Sequence, residues 1–267
     1  MSRRRQPWPW QRALVTGASA GIGRAMARQL AVANVDLVLV ARSGDQLEAL
    51  AAELQAGDSG PSVEVLVADL STPEGVDAVA ARVVADQDPV DLVVNNAGLG
   101  YEGPLVDQDP SEVAETIGVN VVALVRLTHA AVGAMAGRGR GQVMLVSSMA
   151  SLQGMPMTAV YAATKAFITS LGEGLYEELK GTGVVVTTVL PGLTRTEFHE
   201  RGRWDLERWP SVGWQDADEV AAEALRAAAK SRPEVVTGRL NRFFAVLTSK
   251  SPRGLRRSLI GWAARRR

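Results

Sequence analysis

The chain has 267 residues and no net charge, with 46% apolar and 22% charged side chains, a balance typical of a soluble globular protein with a sizeable core. It contains no cysteine, which excludes disulfide bonds, thiolate catalysis and cysteine-ligated metal sites. No apolar run reaches about 18 residues, and the opening segment MSRRRQPWPWQ lacks the apolar core of a secretion signal. We therefore expect a cytoplasmic protein. Since His129 and His199 lie far apart without ligand spacing, we expect no metal site.

Short apolar runs alternate with amphipathic stretches along the chain. The predicted strands are residues 12–16, 35–40, 63–68, 90–94, 142–146, 184–190 and 234–237. The predicted helices are residues 24–33, 44–55, 73–85, 111–136, 158–179 and 216–230. Most of these strands are continuous β-branched runs, as expected for parallel strands that helices cover on both faces. Because parallel strands are joined by right-handed crossovers, the pattern predicts an α/β fold with a doubly wound parallel sheet in three α/β/α layers.

A glycine-rich turn follows the first predicted strand and reads Gly17-Ala-Ser-Ala-Gly21-Ile-Gly23. Glycines at such spacing allow a tight turn, close approach of the backbone to a diphosphate, and close packing of helix on strand. The next helix would present free N–H groups and its positive dipole end to an anion. The spacing is G-x-x-x-G-x-G rather than the commoner G-x-G-x-x-G, and a simple loop is the alternative. Its place between a strand and a helix favours a dinucleotide site.

The candidate catalytic group is Tyr161, four residues before Lys165 in a predicted helix. Positions four apart share one helix face, and a cation beside a phenol lowers its pKa from about 10. Ser148, at the end of a predicted strand, could hold a carbonyl or alcohol oxygen against the phenol for proton transfer. Tyr176 and Lys180 have the same spacing, but they lie about 22 Å further along the helix. We interpret that second pair as structural.

Six motifs follow one another along roughly residues 11–237: Thr16-Gly17-Ala-Ser-Ala-Gly21-Ile-Gly23, Asn95-Asn96-Ala97-Gly98, Asn120, Ser148, Tyr161 with Lys165, and Pro191-Gly192. With these motifs in this order, the chain resembles the short-chain dehydrogenase/reductase family, which has a Rossmann fold. The resemblance implies that Tyr161 is the catalytic acid/base and that Ser148 orients the substrate oxygen. It also implies that Lys165 lowers the tyrosine pKa and binds the nicotinamide ribose, while Asn120 holds a water in the proton relay.

The same resemblance implies which residues hold a nicotinamide dinucleotide. Asp69 and Leu70 would contact adenine, the segment from Asn95 to Gly98 would line the adenosine side, and Thr194 and Thr196 would hold the carboxamide. The predicted cofactor set is Gly17, Ser19, Gly21, Ile22, Gly23, Arg42, Ser43, Asp69, Leu70, Asn95, Ala97, Gly98, Tyr161, Lys165, Pro191, Gly192, Thr194 and Thr196.

The choice between NAD and NADP depends on the end of the second strand. An acid there accepts hydrogen bonds from the ribose 2′-hydroxyl, whereas a 2′-phosphate needs a cation. This chain has Arg42 and Ser43 at that position, while Asp36 lies at the opposite end of the strand. Arg42 can bind phosphate bidentately, so we expect NADP(H). The alternative is a solvated loop arginine, and the family's other common basic position is Ala20 here.

By the same resemblance, residues 193–215 would form a mobile substrate lid. This segment is rich in bulky side chains, namely Phe198, His199, Trp204, Leu206, Trp209 and Trp214. We expect either that these side chains line an apolar substrate pocket or that they anchor the loop to the domain by hydrophobic contacts.

Residues 1–238 are predicted to form one domain, since neither an internal repeat nor a long linker divides it. Residues 239–267 are predicted to form a basic amphipathic tail, with nine Lys or Arg and no Asp or Glu. Apolar residues recur there at helical spacing: Leu240, Phe243, Phe244, Leu247, Leu255, Leu259, Ile260 and Trp262. Such a tail suits an anionic membrane surface; helix packing over the cleft or at a subunit interface are the alternatives. Nucleic-acid binding is not expected, because the remaining chain is acidic.

The sequence therefore predicts an NADPH-dependent reductase that acts on an apolar, possibly acyl-chain or bulky, ketone or aldehyde. The alternatives are an NAD-dependent alcohol dehydrogenase and a non-catalytic dinucleotide-binding regulatory or scaffold protein. We expect a homodimer or homotetramer by the habit of the family.

Overall fold

A parallel sheet of seven strands forms the centre of the molecule. The computed structural model describes residues 8–56, 60–206 and 212–252, together with Gly254 and Ser258. The sheet contains β1 (Arg12–Thr16), β2 (Asp36–Ala41), β3 (Val63–Val67), β4 (Leu92–Asn95), β5 (Gly141–Val146), β6 (Val184–Leu190) and β9 (Glu234–Val236). Their spatial order is β3-β2-β1-β4-β5-β6-β9, and every pairing is parallel. The predicted fold class is confirmed, with strand limits within two residues of those expected.

Helices cover both faces of this sheet. They are α1 (Gly21–Val32), α2 (Gly44–Leu54), α3 (Pro73–Val84), α4 (Pro110–Ile117), α5 (Leu124–Gly137), α6 (Ala159–Glu178), α7 (Phe198–Arg201), α8 (Ala217–Ala229) and α9 (Arg239–Lys250). One apolar core, which includes residues of α1, α2 and α8, lies on one side of the sheet. A second core, which includes residues of α3, α5 and α6, lies on the other. The three layers follow from central strands that are apolar on both faces.

The predicted helix at 111–136 is interrupted. A π-helical segment, Gly118–Ala123, separates α4 from α5, and such segments are rare and frequent at functional sites. The whole stretch Pro110–Gly137 is long and apolar enough to cross a membrane by length and composition alone. Its residues Leu124, Leu127 and Met135 pack in the second core, so it serves here as a core helix.

The topology places the predicted site residues at one edge. The strand order reverses between β1 and β4, and ligands of such sheets bind beyond the carboxyl ends of the strands at this switch point. The glycine turn follows β1, Arg42 follows β2, Ser148 follows β5 and Pro191 follows β6. Two further strands, β7 (Thr194–Arg195) and β8 (Gln215–Asp216), pair with each other and join the two ends of the lid.

Candidate active site

Two neighbouring cavities, which share part of their lining, open at the carboxyl edge of the sheet. The larger cavity has a volume of about 710 Å³, and the smaller cavity has about 230 Å³. The predicted residues that line the larger cavity are Gly17, Ser19, Gly21, Ile22, Arg42, Ala97, Gly98, Ser148, Tyr161, Lys165, Pro191, Gly192, Thr194 and Thr196. Ser43, Asp69 and Leu70 line the smaller cavity. The structure thus gathers most of the predicted set around these two neighbouring cavities. Gly23, Asn95 and Asn120 line neither of them.

The glycine turn presents backbone donors to this space. Gly17 and Gly21 have φ values of +66° and +51°, a region that glycine enters without strain. The backbone N–H groups of Ile22 and Gly23 find no hydrogen-bond partner within the described part of the chain, so they remain free to bind an anion at the start of α1. Gly23 has a packing role, because a Cβ there would collide with the carbonyl of Gly17.

Asn95 does not face the cofactor space as predicted. Its side chain is 3% exposed, and its amide donates to Thr128 Oγ1 at 3.0 Å. The strand pleat is the reason, since successive side chains point to opposite faces. Asn96 lines the larger cavity instead, and its amide Nδ2 donates to the Thr16 carbonyl at 2.9 Å. Of the predicted segment from Asn95 to Gly98, Asn95 is therefore the member that does not line the cavity, whereas Asn96, Ala97 and Gly98 do.

The catalytic candidates converge at the inner wall of the larger cavity. Tyr161 and Ser148 both line the larger cavity, and the Ser148 hydroxyl lowers the pKa of the Tyr161 phenol and accepts the Ala150 N–H at 3.1 Å. Lys165 Nζ lies 5.6 Å from the centre of the Tyr161 ring. Lys165 is 4% exposed, and its Nζ donates to the Val146 carbonyl at 2.9 Å. A phenol, a hydroxyl and an ammonium thus meet beside an apolar pocket, as proton transfer at a C–O group requires.

The pKa of Tyr161 departs from the expected direction. Burial raises it to about 12, and the Ser148 hydroxyl lowers it only in part. Burial also lowers the pKa of Lys165 to about 8, because desolvation disfavours the charged ammonium. Desolvation of the phenol therefore dominates the pKa of Tyr161, and the lowering of that pKa by Lys165 stays a prediction.

Asn120 lies at the centre of the π-helical segment and is fully buried. Its Oδ1 accepts the Leu99 N–H at 2.8 Å, and its Nδ2 donates to the Leu99 carbonyl at 2.7 Å and to Thr164 Oγ1 at 3.0 Å. These bonds join the loop after β4 to α6 and so position the wall opposite Tyr161. The amide is thereby engaged by protein groups, and the water-holding role implied for Asn120 stays a prediction.

The second Tyr–Lys pair shows how little the spacing alone decides. Lys180 Nζ lies 5.7 Å from the Tyr176 ring centre, nearly the same distance as in the first pair. Lys180 is exposed and pairs with Glu177, and neither member lines a cavity described above. Tyr176 and Lys180 therefore have the structural role that was expected.

Arg42 lies where a 2′-phosphate would need it, but it already has a partner. It lines both cavities, is half exposed, and its Nη1 lies 3.1 Å from Glu115 Oε1. The other oxygen of Glu115 accepts the Tyr101 hydroxyl at 3.0 Å, which raises the pKa of Tyr101 together with burial. The sequence provided no sign of Glu115, because it is 73 residues away.

The substrate side of the larger cavity is mainly apolar and aromatic. The Tyr161 ring lies 5.6 Å from Phe198 and 5.5 Å from Trp204, centre to centre. The Trp204 indole N–H donates to the Gly100 carbonyl at 2.8 Å, which holds the lid against the loop after β4. The remaining substrate-side lining includes Met149, Leu152, Met155, Leu193, Phe244 and Thr248.

The tail contributes to this wall from outside the predicted domain. Phe244 and Thr248 belong to α9, which confirms a helix at the start of the tail and supports the alternative that it packs over the cleft. The sequence indicated an amphipathic helix here, but it did not indicate that Phe244 and Thr248 would line the larger cavity. Trp209 of the lid and Leu255, Leu259, Ile260 and Trp262 of the tail lie outside the described residues.

A doubly wound sheet with a glycine turn at its switch point and a Ser–Tyr–Lys cluster beside it defines a dinucleotide-binding oxidoreductase. The sequence profile of the short chain dehydrogenase family matches residues 11–206. A short-chain dehydrogenase from Sphingobium yanoikuyae in complex with NADPH is similar in structure, with a TM-score of 0.79 and 35% identity over 94% of this chain and 95% of that one. The bulky-bulky ketone specific alcohol dehydrogenase from Comamonas testosteroni has a TM-score of 0.76 and 28% identity over 91% and 95%.

Among curated proteins, the very-long-chain 3-oxoacyl-CoA reductase of Bos taurus is 30% identical over 205 residues, which cover 74% of this chain and 65% of the relative. The matched regions span only 60–65% of the length of three such relatives. The family match covers most of the chain, and the chain belongs to the short-chain dehydrogenase/reductase family. Members of this family are oxidoreductases that bind a nicotinamide dinucleotide and act on small molecules.

Proposed function

We propose that the protein is an NADPH-dependent reductase of an apolar ketone or aldehyde. The observation that carries this proposal is the position of Tyr161, Ser148 and Lys165 in the lining of one mainly apolar cavity, with Lys165 Nζ 5.6 Å from the centre of the Tyr161 ring. The bound dinucleotide would supply hydride to the carbonyl carbon. Tyr161 would donate its proton to the carbonyl oxygen while Ser148 holds that oxygen by a hydrogen bond. The reverse reaction would oxidise an alcohol.

The Tyr161→Phe variant tests this mechanism, with Tyr176→Phe as the matched control. Loss of the proton donor should reduce turnover by about 10²-fold or more, while NADPH binding remains within about threefold. Tyr176→Phe should retain wild-type turnover, although its tyrosine has the same lysine geometry. Turnover that survives in Tyr161→Phe would contradict the assignment. Absence of any turnover in the wild type over a broad substrate panel would favour the scaffold alternative.

An apolar and extended substrate is supported by the wall of the cavity. Phe198, Trp204, Met155 and Phe244 surround the space in front of Tyr161. The Bos taurus relative is named for very-long-chain 3-oxoacyl-CoA, and the Comamonas structure for bulky ketones. Each further buried methylene should add binding free energy of about 0.8 kcal/mol. NADPH oxidation should therefore be measured with ketones, aldehydes and 3-oxoacyl thioesters of increasing length. A kcat/KM that does not rise with chain length would refute the apolar pocket.

NADP preference is proposed from Arg42, which lines both cavities and directly follows β2; β2 itself ends in Val40 and Ala41, without an acid that could accept a ribose 2′-hydroxyl. The double variant Ala41→Asp, Arg42→Leu removes the cation and adds an acceptor for a 2′-hydroxyl. A lost hydrogen bond to a charged group corresponds to roughly 10- to 100-fold, and the NADPH/NADH ratio of kcat/KM should fall by that factor. A ratio that stays within about twofold would contradict this preference and favour the NAD-dependent alternative.

Peripheral membrane contact is proposed for the tail. The helix α9 turns Phe244 to the cavity but leaves Phe243, Val246 and Leu247 more than half exposed, and the tail is basic throughout. Full-length protein should float with anionic liposomes, whereas a 1–238 truncation and the variant Phe243→Asp should not. Equal flotation of all three would contradict the proposal. A cytoplasmic location, at times at the inner membrane face, is proposed on the same grounds.

A homodimer or homotetramer is proposed from the habit of the family. Light scattering after size exclusion measures the mass directly, and a mass of one chain would contradict it.

A further inference from the structure

We propose that Arg201, on the lid, binds the phosphate bridge of the dinucleotide from the side opposite the glycine turn. This proposal rests on the proposed function only in so far as a dinucleotide occupies the two cavities. It makes one turn of the lid, α7, part of the cofactor site, although Glu197 at the start of that turn lies 176 residues after Gly21 in the sequence.

The position of Arg201 carries the proposal. Arg201 lines both the larger and the smaller cavity. The residues shared by the two linings are Gly17, Ser19, Arg42, Ala97, Gly98, Leu99 and Arg201. A dinucleotide that places adenosine in the smaller cavity and nicotinamide near Tyr161 must pass its two phosphates through this junction. The glycine turn, through Gly17 and Ser19, and Arg201 both line this junction.

The charge of Arg201 is free for a ligand. Arg201 is exposed. Within the described part of the chain, it forms no ion pair with a carboxylate, unlike other arginines near it. Its neighbours differ in this respect, since Arg24 pairs with Glu197 at 2.7 Å and Arg42 pairs with Glu115 at 3.1 Å. A guanidinium recognises phosphate oxygens by a planar fork of N–H donors. At this junction the guanidinium of Arg42 is already bound to a carboxylate. The N–H donors of Arg201 can therefore bind a phosphate without first breaking an ion pair.

Glu197 positions this arginine. It precedes α7, and its carbonyl accepts the Arg201 N–H at 3.3 Å, as expected for residues four apart in a helix. Its carboxylate accepts the Gly21 N–H at 3.2 Å and pairs with Arg24, so α7 is tied to the first turn of α1. The same contacts leave the Ile22 and Gly23 N–H groups for the ligand. Glu197 thus fixes the start of α7 against the first turn of α1, and Arg201 at the end of α7 lines the junction.

The test is equilibrium binding of NADPH, NADH and ADP-ribose to the full-length protein, measured by calorimetry without substrate. Arg201→Gln should weaken all three by a similar factor of about 10-fold, because each carries the phosphate bridge and loses one charged partner. Arg201→Lys should recover part of the loss. Arg195→Gln is the matched control, since Arg195 is also an exposed lid arginine but pairs with Asp216 and lines neither cavity; its binding should stay within about twofold.

Two results would overturn the proposal while leaving the proposed function intact. In the first, Arg201→Gln binds all three ligands as tightly as the wild type does. In the second, the loss is confined to NADPH, which would assign Arg201 to the 2′-phosphate instead. A wild-type protein that binds none of the three ligands would refute the proposed function itself. Thermal unfolding of each variant checks that the fold is retained.

Discussion

Lys165→Met should stabilise the cofactor-free protein at neutral pH, although it removes a residue of the candidate active site. Lys165 is 4% exposed, and burial lowers its pKa from 10.5 to about 8. That difference corresponds to about 3 kcal/mol by which the charged lysine disfavours the folded state. Methionine fills a similar volume without the charge, but it forfeits the hydrogen bond from Nζ to the Val146 carbonyl, which contributes about 1 kcal/mol. The net gain should be about 1–2 kcal/mol.

The pH dependence makes this prediction specific. Below a pH of about 8, Lys165 is charged in both the folded and the unfolded state, so the full penalty applies. Between about pH 8 and 10.5 the unfolded chain binds more protons than the folded protein, and the stability of the wild type therefore rises with pH. The advantage of Lys165→Met should therefore be complete at about pH 7 and nearly gone at about pH 10.

Urea unfolding at these two pH values measures the effect through the free energy of unfolding. Lys180→Met is the control, because Lys180 is exposed beside a tyrosine at the same spacing; it should change stability little at either pH. The reasoning would be refuted by a variant that is less stable than the wild type at neutral pH, or by a gain that does not change with pH.

Three further substitutions test the packing around the site. Gln142→Leu should lower the free energy of unfolding by about 2–5 kcal/mol, measured by urea titration, because the Trp10 indole and the Ala228 carbonyl lose their buried partner; a loss below about 1 kcal/mol would contradict this. Gly172→Val should destabilise the protein and lower NADPH binding, since a Cβ there would collide with the Thr188 hydroxyl and push α6 off the sheet; unchanged thermal unfolding would refute it. Trp204→Ala should widen the cavity and shift kcat/KM towards bulkier ketones, and an unaltered substrate profile would show that the lid indole does not limit the pocket.

The architecture was predictable because its signals are local. Parallel strands covered on both faces need continuous apolar runs, and those runs mark the strands within two residues. The glycine turn and the position of Ser148 at the end of β5 follow from the same alternation. The π-helical segment at Gly118–Ala123 was not predicted, since helical periodicity persists through it and only the backbone bonding changes.

The sequence by itself determined the fold class, the edge of the sheet that carries the site, and the candidate Ser148, Tyr161 and Lys165. Tertiary structure decided which of two identical Tyr–Lys spacings faces a cavity, because burial depends on what packs against a helix and not on its own spacing. It also buried Asn95, raised the Tyr161 pKa by desolvation, and placed Arg201 in the lining of both cavities. Such effects arise from contacts between segments that are distant in sequence, and no local sequence pattern indicates which residues will become neighbours.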